Sequence, residues 1–206
     1  SSKNYFSLLS EKYYATMLNI VIFGPPGSGK GTQSEKIIAK YGLAHISTGD
    51  ILRQEIKEKT ELGKQAQSYI DKGELVPDAT IIDMLEKKLE TLNNEQGVIF
   101  DGFPRTVDQA GALKKMLQKR GEDVNVMLNL EVGREELIQR LLKRGEVSGR
   151  SDDNLETIEK RIHVYEEQTS PVIEFYKAEG SYHAIPGEGS IDEIFERISN
   201  AIDSVK

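Results

Sequence analysis

Residues 18–23, LNIVIF, are apolar at every position except Asn19 and include β-branched residues. That run suits a strand buried on both faces of a parallel sheet. Runs of the same kind recur at residues 98–100, ending at Asp101, and at residues 124–130, ending at Glu131, with weaker ones at 43–46 and 182–185. Between them the polar and apolar positions switch to helical spacing. The pattern predicts helices over 33–40, closed by Gly42; over 80–92, capped by Asp78; over 107–119, closed by Gly121; and over 191–202, capped by Ser190. Strands alternating with helices predict an α/β fold, a parallel sheet covered on both faces. No internal repeat is present.

Two segments break the alternation. Residues 47–76 make charged helical turns without adding a strand, which marks them as an insertion. Residues 143–153, KRGEVSGRSDD, are polar, carry two glycines and have little to bury, so they read as an exposed mobile loop and a candidate lid.

The bulk numbers narrow the class. A chain of 206 residues with 30% charged and 37% hydrophobic residues suits one globular domain with small insertions. The net charge of -7 argues against a nucleic-acid or anionic-membrane surface, although a local basic cluster could bind a small polyanion. There is no cysteine, which excludes disulfides and thiolate metal sites and points to a reducing cytoplasm. No stretch approaches the roughly 18 apolar residues that a membrane helix needs. Residues 1–16 form an N-terminal extension that lacks the pattern of a signal peptide. Met17 reads as a second possible start, and the extension is left open among an upstream leader, a cloning remnant and a docked aromatic arm.

The chemistry begins after the first strand. Residues 24–32 read GPPGSGKGT, close to the phosphate-binding pattern G-x-x-x-x-G-K-[ST], but the hydroxyl residue arrives one position late, at Thr32 instead of Gly31. A strand before and a helix after give the context that the motif requires. Backbone N–H groups at the helix start form an anion nest, and Lys30 adds a point charge. A glycine-rich turn that happens to hold a lysine is the plainer alternative. Asp101, at the end of the 98–100 strand, lies where a carboxylate could hold Mg²⁺ directly or through water, because ligands of parallel sheets bind beyond the carboxyl ends of the strands. Alone it would be a turn or capping residue. Arg105 shares that sheet edge.

The arginine spacing is an independent signal. Arg140 and Arg144 share the helix face that carries Leu137 and Leu141, and Arg150 lies across the short loop. Asp153 to Glu156 resembles a capping box opening another helix, whose stripe is Leu155, Ile158, Ile162 and Tyr165, with Arg161 at its edge. Taken singly, each arginine would be read as pairing with a glutamate. Four of them bracketing one loop favour a polyphosphate, which guanidinium groups grip with forked hydrogen bonds. His45, His163 and His183 show no metal-ligand spacing and read as structural.

These stretches together, with HISTGDILR at 45–53, GELVPD at 73–78 and FDGFPRTVDQ at 100–109, resemble the adenylate kinases, in the same order, from about Met17 to the C-terminus. The resemblance implies a P-loop NTPase-type five-stranded parallel sheet with helices on both faces, interrupted by two small mobile inserts: an AMP-binding insert at 47–76 and a short lid over ATP at 143–153. It implies ATP contacts at Gly27, Ser28, Gly29, Lys30, Gly31, Thr32, Arg140, Arg144 and Gly189. It implies AMP contacts at Thr48, Arg53, the backbone of Glu74, Leu75 and Val76, then Gly102, Phe103, Pro104, Arg105, Gln109, Arg150 and Arg161, with Gln109 reading the adenine edge. Lys30, Arg105, Arg144, Arg150 and Arg161 would carry the catalytic charge, and Asp101 would orient waters around Mg²⁺. Five residues between Arg144 and Arg150 fit the short lid and leave no room for a zinc-binding one.

The implied reaction is reversible phosphoryl transfer from MgATP to AMP, giving two ADP, by a cytoplasmic monomer whose partners are small molecules. A UMP or CMP kinase is the near rival, although such relatives typically carry alanine and asparagine where Thr48 and Gln109 stand. A nucleotide-driven switch is the more distant rival, and it would leave Arg53, Gln109 and the 47–76 insert without a substrate.

Overall fold

β1 (Leu18–Phe23) is buried at every position and occupies the centre of a five-stranded parallel sheet. In this computed structural model, which describes residues 17–72, 74–92, 96–148 and 154–206, the strand order is β2-β3-β1-β4-β5. The other strands are β2 (Ala44–Ser47), β3 (Gly97–Asp101), β4 (Val126–Glu131) and β5 (Tyr182–Pro186). Eight helices are described: α1 (Lys30–Tyr41), α2 (Thr48–Lys57), α3 (Glu61–Asp71), α4 (Asp78–Glu90), α5 (Val107–Gln118), α6 (Arg134–Ser148), α7 (Leu155–Glu179) and α8 (Ile191–Asp203).

Side-chain alternation divides the core into two layers. Ile20, Ile22, Ile99 and Leu128 pack with Ile37 of α1 and Ile194 and Ile198 of α8. Val21, Phe23, Phe100 and Met127 pack the opposite face with Leu85 of α4, Leu113 of α5 and Val172 of α7. A third, smaller cluster of Leu137, Leu141, Ile158 and Ile162 joins α6 to α7. The inserted pair α2 and α3 contributes far less, burying Ile51 from one helix and Gly63 and Ala66 from the other.

Register decides where the chemistry can gather. Asp101 aligns with Ile22 on one side and Ser47 on the other, while Phe23 aligns with Asn129. The loops leaving β1, β2 and β3 therefore emerge side by side on one sheet edge, as parallel strands require.

Several local expectations are corrected. α1 begins at Lys30 instead of residue 33, so Gly31 and Thr32 lie within its first turn. β4 begins at Val126, since the Val124 N–H is taken by the Asp123 side chain at 2.8 Å and not by a neighbouring strand. Asp78 opens α4 as its first helical residue, after Pro77, and is not its cap. Helix α6 runs on through residues 143–148, which the sequence pattern assigned to a loop: Lys143, Arg144 and Glu146 are good helix formers, and one glycine near a helix end costs only about 1 kcal/mol. The cap of α7 is Asn154, whose side chain accepts from the Thr157 N–H, and Leu155 is exposed, outside the buried stripe. Arg150, Gly73 and residues 1–16 lie outside the described residues. No described helix is long and apolar enough to cross a membrane.

Candidate active site

The phosphate-loop sequence dictates its own shape. Ser28 N–H donates to the Pro25 carbonyl at 3.0 Å, and the chain turns through left-handed backbone at Gly27 (φ 84°) and Gly29 (φ 85°), a region costly for residues with a Cβ. Gly29 then caps α1 without a side chain, and no acidic residue stands in the first turn. The free N–H groups there keep their full positive character. A Cβ at Gly31 would meet nothing within 4 Å, so the loop leaves open space beside the helix start. The Ser28 hydroxyl is buried and makes no hydrogen bond.

Lys30 and Asp101 meet across the sheet edge at 2.6 Å, and His45 Nε2 lies 3.3 Å from the other Asp101 oxygen. Burial pushes the Asp101 carboxyl up, but hydrogen bonding and charge from Lys30 and then His45 outweigh it and hold the carboxyl below the usual carboxylate range. Asp101 is thus an ionised carboxylate beside a phosphate cradle. Among the described residues no three acidic or imidazole groups converge as a metal cage. One carboxylate plus substrate phosphates and waters is nonetheless the ordinary donor set for Mg²⁺, so the site fits that ion.

The 102–105 turn follows Asp101 and contains a cis peptide between Phe103 and Pro104. Phe103 is fully buried and anchors the turn, leaving Arg105 exposed with its Nε donating to the Gly102 carbonyl at 3.0 Å. Thr48, at the start of α2, donates to the same carbonyl at 3.2 Å. Gln109 is buried; its carboxamide oxygen accepts from Arg105 N–H at 2.7 Å and its nitrogen donates to Asp78 at 2.6 Å. Both ends of the amide are therefore engaged within the protein. Arg53 pairs with Asp50 on the exposed face of α2. Glu74 N–H bonds the Tyr69 carbonyl at 2.9 Å, Val76 packs on the core, and Leu75 is 94% exposed.

On the opposite flank, Arg140 reaches from α6 to three oxygens: Glu136 at 3.0 Å, the Gly27 carbonyl at 3.2 Å and the Gly187 carbonyl at 3.2 Å. Arg144 lies one turn further along α6, and Gly189 belongs to the turn between β5 and α8.

These parts surround a cleft of about 780 Å³. Gly27, Ser28, Lys30 and Gly31 form one wall; Gly102, Pro104 and Arg105 form a second. Arg161 faces them from α7, accompanied by Thr157, Lys160, Val164, Tyr165, Gln168 and Thr169. Among the described residues, the other expected ones do not line the cleft, and Arg150 lies outside the described residues. Sequence reasoning found Arg161 and put Tyr165 on the stripe beside it, yet gave no place in the site to Thr157, Lys160, Val164, Gln168 and Thr169, although their three- and four-residue spacing marks one helix face. It also read His45 as structural. Strand alternation holds the clue to its position: His45 lies two residues before Ser47, the partner of Asp101, and so faces the same side.

Comparison with known proteins points to one family. The family model described as adenylate kinase matches residues 22–181. An adenylate kinase from Parabacteroides distasonis is 64% identical over 190 residues, covering 92% of this chain and 100% of the relative. One from Bacteroides thetaiotaomicron is 61% identical over 189 residues, with 92% and 100% covered. One from Porphyromonas gingivalis is 54% identical over 190 residues, with 92% and 98% covered.

Proposed function

The chain belongs to the adenylate kinase family and is an ATP:AMP phosphotransferase, and we propose that its 780 Å³ cleft runs the reaction by holding two phosphate chains in line between fixed cations. The donor triphosphate is held by the N–H groups of residues 27–32, the Ser28 hydroxyl and Lys30, with Arg140, Arg144 and Gly189 completing the ATP side. The acceptor is held by Thr48, Arg53, residues 74–76, the 102–105 turn and Gln109. Arg105, Arg144, Arg150 and Arg161 neutralise charge on the transferring group. The AMP phosphate is already an anionic nucleophile, so no protein base is required. Positioning and electrostatic stabilisation supply the rate.

Mg²⁺, when bound with ATP, neutralises charge on the phosphate oxygens, and Asp101 would orient waters around it. Residues 17–206 form the core, with 47–76 as the AMP-binding insert and 143–153 as the short lid. Closure of both excludes water, which otherwise competes as phosphoryl acceptor. The net charge of -7 and the absence of cysteine support a cytoplasmic monomer that acts on ATP, AMP and ADP without nucleic acid or membrane.

The observation that carries this reading is the meeting of the phosphate loop with Arg105 and Arg161 around one cavity. A coupled assay of ADP formation from ATP paired with AMP, CMP or UMP tests it. AMP is expected to give the highest kcat/KM; a preference for CMP would overturn the acceptor assignment. Two adenosines joined by five phosphates should bind one-to-one and block turnover, whereas a hydrolytic switch with one nucleotide site would gain nothing from the second adenosine.

A further inference from the structure

The turn between β5 and α8, residues 187–190, is held within it and at its flanking residues, Pro186 and Ile191, by side chains of three helices. Arg197 of α8 donates from Nη1 to the Pro186 carbonyl at 2.8 Å and the Glu188 carbonyl at 2.7 Å. A Cβ on Gly189 would lie 3.5 Å from Arg197 Nη2, so the guanidinium sits directly against that glycine. Gln33 of α1, 2% exposed, donates to the Ile191 carbonyl at 3.1 Å. Arg140 joins the Gly27 and Gly187 carbonyls through one guanidinium.

These bonds end on backbone carbonyls, so the sequence of the turn itself does not reveal them. Gln33 lies one helical turn after Lys30. The helix that begins at the phosphate cradle thus also holds the far turn. A nucleoside triphosphate that contacts both places gains from the second contact only if the separation is held, because the second contact is then effectively intramolecular.

We propose that Arg197 and Gln33 are positioning residues that hold the 187–190 turn, as the donor-base rim, at a set distance from the phosphate cradle. This rests on the reading of Gly189 as part of the ATP side. Loosening the turn removes the contribution of the base and leaves that of the phosphates.

The test uses Arg197→Met, Arg197→Lys and the near-isosteric Gln33→Met in the full chain. Calorimetric Kd values are measured for ATP and for inorganic tripolyphosphate, with steady-state KM for ATP and AMP. Each methionine variant is expected to weaken ATP about tenfold, the scale of one or two lost hydrogen bonds, while tripolyphosphate and AMP stay within about twofold. Arg197→Lys should recover part of the loss, since an ammonium can still donate to the same carbonyls. Arg197 is partly exposed, so its variants carry the test should Gln33→Met fail to fold. Unchanged ATP affinity in the variants, when the wild type prefers ATP to tripolyphosphate, overturns the proposal alone, as does a joint rise of both KM values. A wild type that binds ATP no tighter than tripolyphosphate overturns the base-side reading, and the proposal with it.

Discussion

The two flanks of the cleft are built differently. On the side of α1, α6 and α8, arginine and glutamine side chains donate to backbone carbonyls of the phosphate loop, the 187–190 turn and Ile191. On the side of α2 and α3, Arg53 is 73% exposed in its side chain and Leu75 is 94% exposed. Gln109, Thr48 and the anchored 102–105 turn are tied by hydrogen bonds there. The first flank is tied by long-range side-chain bonds, whereas the second packs Ile51 and Ala66 on the core and leaves Arg53 and Leu75 in water. Closure of that flank on an acceptor would bring specificity, because a wrong acceptor would not complete the site.

The sharpest way to break the comparison is to remove charge from the ordered flank. Lys30→Met is expected to lower kcat about 10³-fold, the scale seen when one electrostatic group is removed from a phosphoryl- or acyl-transfer site. The fold should persist, since Lys30 is partly exposed and its methionine replacement keeps the helix start. Near-normal turnover in the ADP-formation assay would remove Lys30 from the catalytic set.

Stability gives the second test. Ile158, fully buried between α6 and α7, is expected to cost about 2–5 kcal/mol when cut to alanine, through lost burial and the cavity left behind. Leu75→Ser should stay within about 0.5 kcal/mol, because its side chain is already in water. Urea unfolding of both variants measures the contrast. A comparable loss in Leu75→Ser would mean that the 74–76 segment is part of the folded core after all.

The sequence pattern made the sheet legible for a physical reason. A strand buried on both faces must be apolar nearly throughout, and LNIVIF could be little else. It was less informative about where elements end. Gly31 looked like loop yet lies in α1, and residues 143–148 looked like loop yet extend α6, because helix propagation tolerates a glycine near an end. At the site, motifs with fixed spacing brought the phosphate loop, Asp101, Arg105 and Arg161 into view before any coordinates. Contacts that depend on register or on backbone carbonyls did not emerge: His45 beside Asp101, Arg197 under Gly189, and Asp78 on Gln109. A side chain that binds main chain leaves no complementary residue to notice. Asp78 illustrates the cost, since its carboxylate looked like a helix cap and instead serves a residue 31 positions away.

That last pair offers the gentlest test of the second flank. Gln109 is 6% exposed, and its amide joins Arg105 N–H to Asp78. If the amide turns from these partners to the base of AMP on closure, Gln109→Leu should raise KM for AMP about tenfold and leave KM for ATP unchanged, a loss of about 1.4 kcal/mol. Asp78→Ala removes the internal acceptor but keeps the amide, so it should move KM for AMP less. Equal losses in the two variants would make Gln109 a brace for the 102–105 turn and not a reader of the base. The ratio of the two KM values therefore measures how far this flank is organised by its own residues and how far by the acceptor.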